Sequence, residues 1–165
     1  MKLIENNKFR YIFRKIRHYD PIKYWEMRSK VVDPSYKFRV KKLWYLYRIK
    51  KMDAFNNASF GTNFNSGALF KTPPILPHGL NGIIIGHDCI IGRNVIIHHQ
   101  VTIQHGGKIR IGDNVMIGAG AKILKGAIIG NRVKIGANCV VFENIPDGAT
   151  VVLPKPRIIL KSADN

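Results

Sequence analysis

One feature constrains this chain more than any other, a hydrophobic period of six residues. From Ile85 an aliphatic side chain returns at Ile91, Ile97 and Ile103. After a two-residue slip it returns at Ile111, Ile117, Ile123, Ile129, Ile135 and Val141. Glycine follows it at Gly86, Gly92, Gly112, Gly118, Gly130 and Gly136. Four positions past it stands a small or branched apolar residue: Cys89, Val95, Val101, Val115, Ala121, Ala127, Val133 or Cys139. An α-helix repeats its apolar stripe every 3.6 residues, so this pattern excludes one. It fits short strands joined by tight corners, with the aliphatic pointing inward beside each corner. Gly would take the bend, where the backbone is crowded or φ unusual. Asn94, Asn114, Asn131 and Asn138 are expected at bends that need the left-handed conformation. Three units close one triangular coil. A coil cannot bury its core alone, so coils must stack and the ends need caps.

The units IGHDCI, IGRNVI, IGDNVM, IGAGAK, IGNRVK and IGANCV resemble the hexapeptide-repeat superfamily. The resemblance spans residues 57–159 and implies an all-β fold, a left-handed parallel β-helix. The handedness comes from the resemblance, because the general preference for right-handed crossovers would give the opposite. Three segments follow: a basic, mainly helical segment over 1–56, the β-helix over 57–159 and a tail over 160–165. Between Ala58 and Pro77 the repeat is degraded, with Phe64, Ala68 and Phe70 as candidates to begin the prism. Residues 142–150 break the period, as in the closing segment of hexapeptide acyltransferases. The turn after them reads Leu153-Pro154-Lys155-Pro156, and a last strand is expected over Arg157–Leu160.

Charge divides the chain in the same place. Residues 1–52 hold 16 of the 27 Lys and Arg but only four of the 10 acids, Glu5, Asp20, Glu26 and Asp33. Ile4, Tyr11, Ile12, Phe13 and Ile16 recur at roughly helical spacing among basic residues. Asp20-Pro21 is a helix start, Asp33-Pro34 punctuates, and Tyr36–Met52 forms a further helix. The apolar residues of that helix, Phe38, Val40, Leu43, Trp44, Leu46, Tyr47 and Ile49, cover more than one stripe, so part of them must meet the domain or a partner subunit. Three roles stay open for the segment: a helical cap on the prism, contact with an anionic membrane face, and nucleic-acid binding. The last is not expected, because no zinc-finger spacing, RNP motif or helix-turn-helix signature accompanies the charge. No apolar run of signal or membrane-spanning length is present. Cys89 and Cys139 fall in apolar repeat slots and read as buried free thiols of a reducing compartment. The expected location is the cytoplasm, with the inner membrane face as the place the basic segment would take it.

A β-helix does not define a function; residues that break its pattern must. His78 stands in Leu76-Pro77-His78-Gly79-Leu80-Asn81-Gly82, before the regular repeats, where core packing does not require a histidine. Imidazole is suited to take a proton from an alcohol near neutral pH. Gly79 and Gly82 would allow close backbone approach and offer N–H donors. Leu76-Pro77-His78-Gly79 followed by Gly82-Ile83-Ile84-Ile85-Gly86 is similar to the catalytic segment of the serine acetyltransferase group and its sugar O-acetyltransferase relatives. So is Val101-Thr102-Ile103 with Met116-Ile117-Gly118-Ala119-Gly120-Ala121-Lys122-Ile123-Leu124. The resemblance implies acetyl-CoA as donor and no metal. It makes His78 the catalytic base and sets Gly118, Ala119, Gly120, Ala121 and Lys122 along the pantetheine groove.

Lys122, Lys134 and Arg157, with Lys125 and Lys161, are candidates for the CoA phosphates. His99, His105, Gly79 and Asn81 are candidates for acceptor binding. His98 sits in a corner slot facing a subunit boundary, His87 at a surface bend, and His18 in the basic segment as a structural residue. A metal held by His98, His99 and His105 is not expected, because their spacing matches no standard motif. The chain also departs from the serine enzymes. Pro77 stands where they carry Asp, and Asn63 stands where their orienting Asp would fall. Their Arg-His-Pro-Lys-Ile loop is shortened here to Gln104-His105-Gly106-Gly107-Lys108-Ile109. The expected activity is therefore acetyl transfer to a hydroxyl of a sugar or polysaccharide precursor. Serine O-acetylation, and a non-catalytic scaffold or a membrane- or nucleic-acid-binding protein, are the alternatives. Direct transfer is expected, with no acyl-enzyme, and the resemblance implies a homotrimer with sites between subunits.

Overall fold

The computed structural model describes residue 16 and residues 18–157. The rest of the Ile4–Arg17 stretch, residues 158–160 of the strand expected over Arg157–Leu160, Lys161 and the 160–165 tail lie outside the described residues.

From Ile84 to Val141 the chain winds into a left-handed three-sided prism with one two-residue strand per face per coil. Ile84–Ile85, Thr102–Ile103, Lys122–Ile123 and Val140–Val141 stack in parallel on the first face. Arg110–Ile111 lies between Ile90–Ile91 and Ile128–Ile129 on the second. Met116–Ile117 lies between Ile96–Ile97 and Lys134–Ile135 on the third. Ile84 pairs with Thr102, so that coil takes 18 residues; Thr102 pairs with Lys122, so the next takes 20. The two extra residues are the slip in the repeat. They swell one corner at Gln104–Lys108 without moving the register.

The second residue of every strand points inward. All ten repeat aliphatics from Ile85 to Val141 are buried, as are the eight small residues four positions on. Cys89 and Cys139 are free thiols in that column. Ile83 and Ile109 fill the same slots where the simple count fails. The corner glycines serve close stacking. A Cβ on Gly92 would stand 2.3 Å from the Gly112 carbonyl oxygen of the next coil. The left-handed residue of each corner comes two positions later, at Asn94, Asn114 and Asn138 as expected. At Asn131 the expectation fails, because Arg132 takes that conformation instead. Asn131 is held in a ladder along the edge. The Asp113 carboxylate accepts from Arg93 N–H, the Asn131 side chain from Asp113 N–H, and the Asp147 carboxylate from Asn131 N–H.

The degraded first coil is built differently from expectation. Ser59–Phe60 pairs with Ile84–Ile85, and Leu69–Phe70 with Ile90–Ile91. Between them Thr62–Asn63 and Ser66–Gly67 form an antiparallel hairpin. Phe60 and Ala68 enter the core and Phe70 packs against it. Phe64 does not; it sits on the hairpin with the Lys42 ammonium 5.1 Å from its ring centroid. After Val141, Ile145 bridges Ile129, and Thr150–Val151 pairs with Lys134–Ile135 as the last strand among the described residues.

Among the described residues, two helices pack on the first coil. Helix α1, Pro21–Val32, is capped by Asp20, whose carboxylate accepts from Ile22 N–H and Lys23 N–H. Helix α2, Arg39–Phe55, runs three residues later at each end than the pattern suggests. The Asp33 carboxylate takes Ser35 N–H in the turn before it, and Asn57 at φ 49° ends it. No helix among the described residues is long and apolar enough to cross a membrane.

Buried polar side chains fasten the helices to the prism. Arg28 donates Nε to Thr62 Oγ1 at 3.0 Å and Nη2 to the carbonyls of Phe60 and Ala68 at 3.0 and 2.7 Å. The guanidinium lies 4.6 Å from the Phe70 ring centroid. Lys42 donates to Asn65 Oδ1 and the Asp33 carbonyl. Tyr24 O–H donates to Asp53 at 2.7 Å. Arg28→Met would strand three buried acceptors at about 1–3 kcal/mol each before relaxation, so a total loss of roughly 2–5 kcal/mol is expected in urea unfolding. A loss below about 1 kcal/mol would show that the fastening is elsewhere.

Burial raises the Asp53 pKa to about 6, against the Tyr24 hydrogen bond and the charges of Lys50 and Arg28, which lower it. The folded pKa is above the unfolded one, so the ionised form is penalised above pH 6. That penalty is relieved as pH falls from about 6 towards 4. The stability of the wild type relative to Asp53→Asn should therefore rise by up to about 3 kcal/mol between pH 7 and pH 4. A flat difference would refute it.

Candidate active site

The three edges of the prism carry different chemistry. The edge between the second and third faces is the Asp113–Asn131–Asp147 ladder, and its side chains hold one another. The edge between the third and first faces carries His78 in its first coil. His98, His99 and Gln100 follow in the next coil, then Gly118–Ala121, then Gly136–Cys139. Backbone bonds tie the coils: Gln100 N–H to Asn81 O, Gly120 N–H to His99 O, and Asn138 N–H to Ala119 O. The expected base, the acceptor candidates His99, Gly79 and Asn81, and the segment Gly118, Ala119, Gly120 and Ala121 thus succeed one another along one edge.

His78 is exposed and its ring meets two others. The His99 ring centroid is 4.9 Å away at 90°, and that of His98 is 5.7 Å away. His99 Nδ1 is buried and has no hydrogen-bond partner, an atom that a ligand or ordered water would satisfy. Ile16, Tyr19, Phe55, Asn56, Asn57, Gly79, Leu80 and Asn81 line the open cleft around His78. The end of α2 is therefore part of its wall. Burial pushes the Tyr19 phenol up to about 12, so it stays a neutral hydroxyl. Gly79 and Gly82 adopt φ of 70° and 65°, which a side chain would strain. Their N–H groups are already used, Gly79 donating to Leu76 O and Gly82 to Asn56 O. They are not the spare donors that the sequence suggested.

Further along the edge no side chain exceeds a methyl group from Gly118 to Ala121. A Cβ on Gly118 would lie 2.6 Å from Ala137 N. This track carries no bulky side chain of its own, and its backbone is tied to the coils on either side. Lys122 Nζ is anchored beside it on the Gln100 carbonyl and Thr102 Oγ1, at 3.2 and 3.1 Å. Lys134 is exposed on the third face, in register with Met116 and Thr150, and Arg157 is exposed at the end of the described chain. Neither lines the His78 cleft.

Asn63 and His105 do not join His78. Asn63 lies on the 62–67 hairpin, which the count along the chain could not foresee, and no hydrogen bond links it to His78. It lines a second cleft with Lys50, His87, Gln104 and His105. The His87 and His105 rings are 5.8 Å apart there. The swollen 104–108 corner is ordered by Asp88, whose Oδ2 accepts from Gly106 N–H at 2.8 Å and Gly107 N–H at 3.2 Å. Burial works to raise the Asp88 pKa, but these and neighbouring backbone donors outweigh it and hold the carboxyl low. The sequence reading missed Asp88, although an acid exactly one coil below a glycine pair was its visible signal. No group of three or more His, Cys, Asp or Glu among the described residues is arranged to hold a metal.

Residues 108–143 match the bacterial transferase hexapeptide family (six repeats). No curated protein matches the chain significantly in sequence. Among solved structures, serine acetyltransferase isoform 3 of Entamoeba histolytica, in complex with cysteine, superposes with TM-score 0.61 and 29% identity, over 73% of this chain and 44% of that one. The Neisseria gonorrhoeae serine acetyltransferase in complex with serine gives 0.56 and 33%, over 72% and 49%. A serine acetyltransferase in complex with CoA gives 0.60 and 28%, over 79% and 51%. The chain spans about half the length of these proteins. With the coil geometry, the repeat and these likenesses together, the chain belongs to the hexapeptide-repeat fold family and stands close to the serine acetyltransferase group.

Proposed function

We propose that the chain is an acetyl-CoA-dependent O-acetyltransferase, with serine as the acceptor its relatives favour over the sugar expected from sequence. The observation that carries this reading is the single edge on which His78, His99 and the bare Gly118–Ala121 track follow one another. An extended donor lying on that track points its acyl end at the histidines. His78 then takes the proton of the acceptor hydroxyl as its oxygen attacks the acetyl carbonyl, and returns it to the departing thiolate. His99 braces the His78 ring edge-on. Transfer is direct. Cys89 is buried and burial pushes its thiol up to about 12, and Cys139 is buried likewise, so neither serves as nucleophile.

The cleft around His78 is open on one side, which fits completion by a neighbouring copy in a homotrimer. Lys122, Lys134 and Arg157 remain candidates to meet the donor's phosphates. A second reading, a sugar hydroxyl, is favoured by one local feature. The corner that carries an Arg-His-Pro loop in the serine enzymes is here a short His105-Gly106-Gly107 turn held by Asp88. It lacks a guanidinium to hold an amino-acid carboxylate.

His78→Ala should lower kcat for CoA release by about 10²–10⁴-fold while leaving the KM for acetyl-CoA within about threefold. Turnover near wild type in that variant overturns the role of His78. His99→Phe keeps a ring against His78 but removes both ring nitrogens, and should cost about tenfold in kcat/KM. CoA release measured with serine and with a panel of sugars decides between the two acceptors; release with none of them would reject both.

A further inference from the structure

Helix α2 is amphipathic in reverse. Its prism side carries Lys42, Tyr45, Ile49 and Asp53, all buried. Its outward side carries Val40, Leu43, Trp44 and Tyr47, which are 84, 56, 49 and 60% exposed. These four stand at i, i+3, i+4 and i+7 and form one stripe. At 3.6 residues per turn, Arg39 and Lys50 flank the stripe on one side and Lys41 and Arg48 on the other, and Lys51 continues it. The Arg48 guanidinium lies 5.1 Å from the Trp44 ring centroid. Phe38, also exposed, leads into the stripe. The single acid of the helix, Asp53, is on the buried side.

We propose that this face seats α2 flat on an anionic lipid surface. A contiguous apolar stripe of this kind requires cover. A second copy of the chain is a poor cover, because it would set two segments of 16 cations and four acids against each other. Anionic headgroups meet the four flanking cations instead, while Val40 and Leu43 enter the acyl boundary. Trp44 and Tyr47 take the headgroup level that amphipathic rings favour. The surface narrows the membrane contact expected of residues 1–52 to one helix face and is independent of the acetyl-transfer reading. Because Phe55 at the end of α2 lines the His78 cleft, seating the helix holds that cleft beside the bilayer.

Co-sedimentation of the full chain with two kinds of vesicle tests the proposal, one of phosphatidylcholine alone and one mixed equally with phosphatidylglycerol. Binding is expected to the mixed vesicles and at least about tenfold weaker to phosphatidylcholine, and to weaken with salt. Leu43→Glu with Trp44→Glu should abolish it. Lys41→Glu with Arg48→Glu should weaken it about tenfold or more, and keeps the apolar stripe in case the first pair fails to fold. Trp25→Phe leaves Trp44 as the reporter, since the chain has only two tryptophans; its emission should shift to the blue on the mixed vesicles. Equal binding to both vesicles, no binding, or unchanged binding by the folded variants overturns the proposal. So does a light-scattering mass that falls in the Leu43→Glu, Trp44→Glu variant while the wild type ignores vesicles; a second copy would then be the occupant.

Discussion

The close approach of one coil to the next governs this molecule. The backbone of a corner can sit on the corner below only where no side chain intervenes, and the glycine after each inward aliphatic provides that space. Gly92 lies under the Gly112 carbonyl and Gly112 under Gly130, each too close for a Cβ. Once the coils are stacked so tightly, the strands fall into parallel register and the inward isoleucines form continuous columns. Dispersion and apolar burial along those columns then supply most of the stabilisation. The two-residue insertion at 104–108 shows how local the constraint is. It enlarges a single corner, and Ile103 and Ile111 keep their places in the interior.

The same stacking makes each edge a column of chemically related positions, and the three columns have diverged. One is filled by Asp113, Asn131 and Asp147, whose side chains take the N–H groups of the coil below and leave little for a ligand. One carries His78 and His99 and then a run of small residues. The third carries His87, Asp88 and His105 around a swollen turn. Chemistry is therefore set by what an edge omits as much as by what it displays. The track from Gly118 to Ala121 carries only small residues because the next coil packs closely against it.

Most of the prism was legible because its signal is redundant: the aliphatic, the following glycine and the small residue four positions on all repeat together. The slots at Ile83 and Ile109 escaped because they flank the degraded start and the insertion, where counting loses phase. Asn131 escaped because asparagine suits both a left-handed corner and a side-chain ladder, and a single residue does not say which. The pairing of Asn63 with His78 was a count of residues carried across a segment that folds into its own hairpin. Sequence distance survives only through regular repeats. His99 was recognised as a candidate, but its ring contact with His78 depends on the coil pitch and had no signature of its own.

The orientation of α2 was illegible for an energetic reason. Rolling the helix by half a turn would bury Val40, Leu43, Trp44 and Tyr47, at about 1.5–3 kcal/mol for each side chain fully covered. It would also expel Tyr45 and Ile49 and break the bonds of Lys42 to Asn65 and Asp53 to Tyr24. Hydrogen bonds to charged groups contribute about 1.5–3 kcal/mol each, and any partner left buried and alone costs more. Four apolar side chains would be covered and two expelled, so the roll gains burial of about two, and the polar ties with the partners they would leave buried and alone outweigh that gain. Those ties depend on Asn65 and Tyr24, which lie on other elements and carry no mark in the periodicity of the helix itself. Fastening the helix by buried charge is thus what turns its apolar stripe, and the cations beside it, towards the outside.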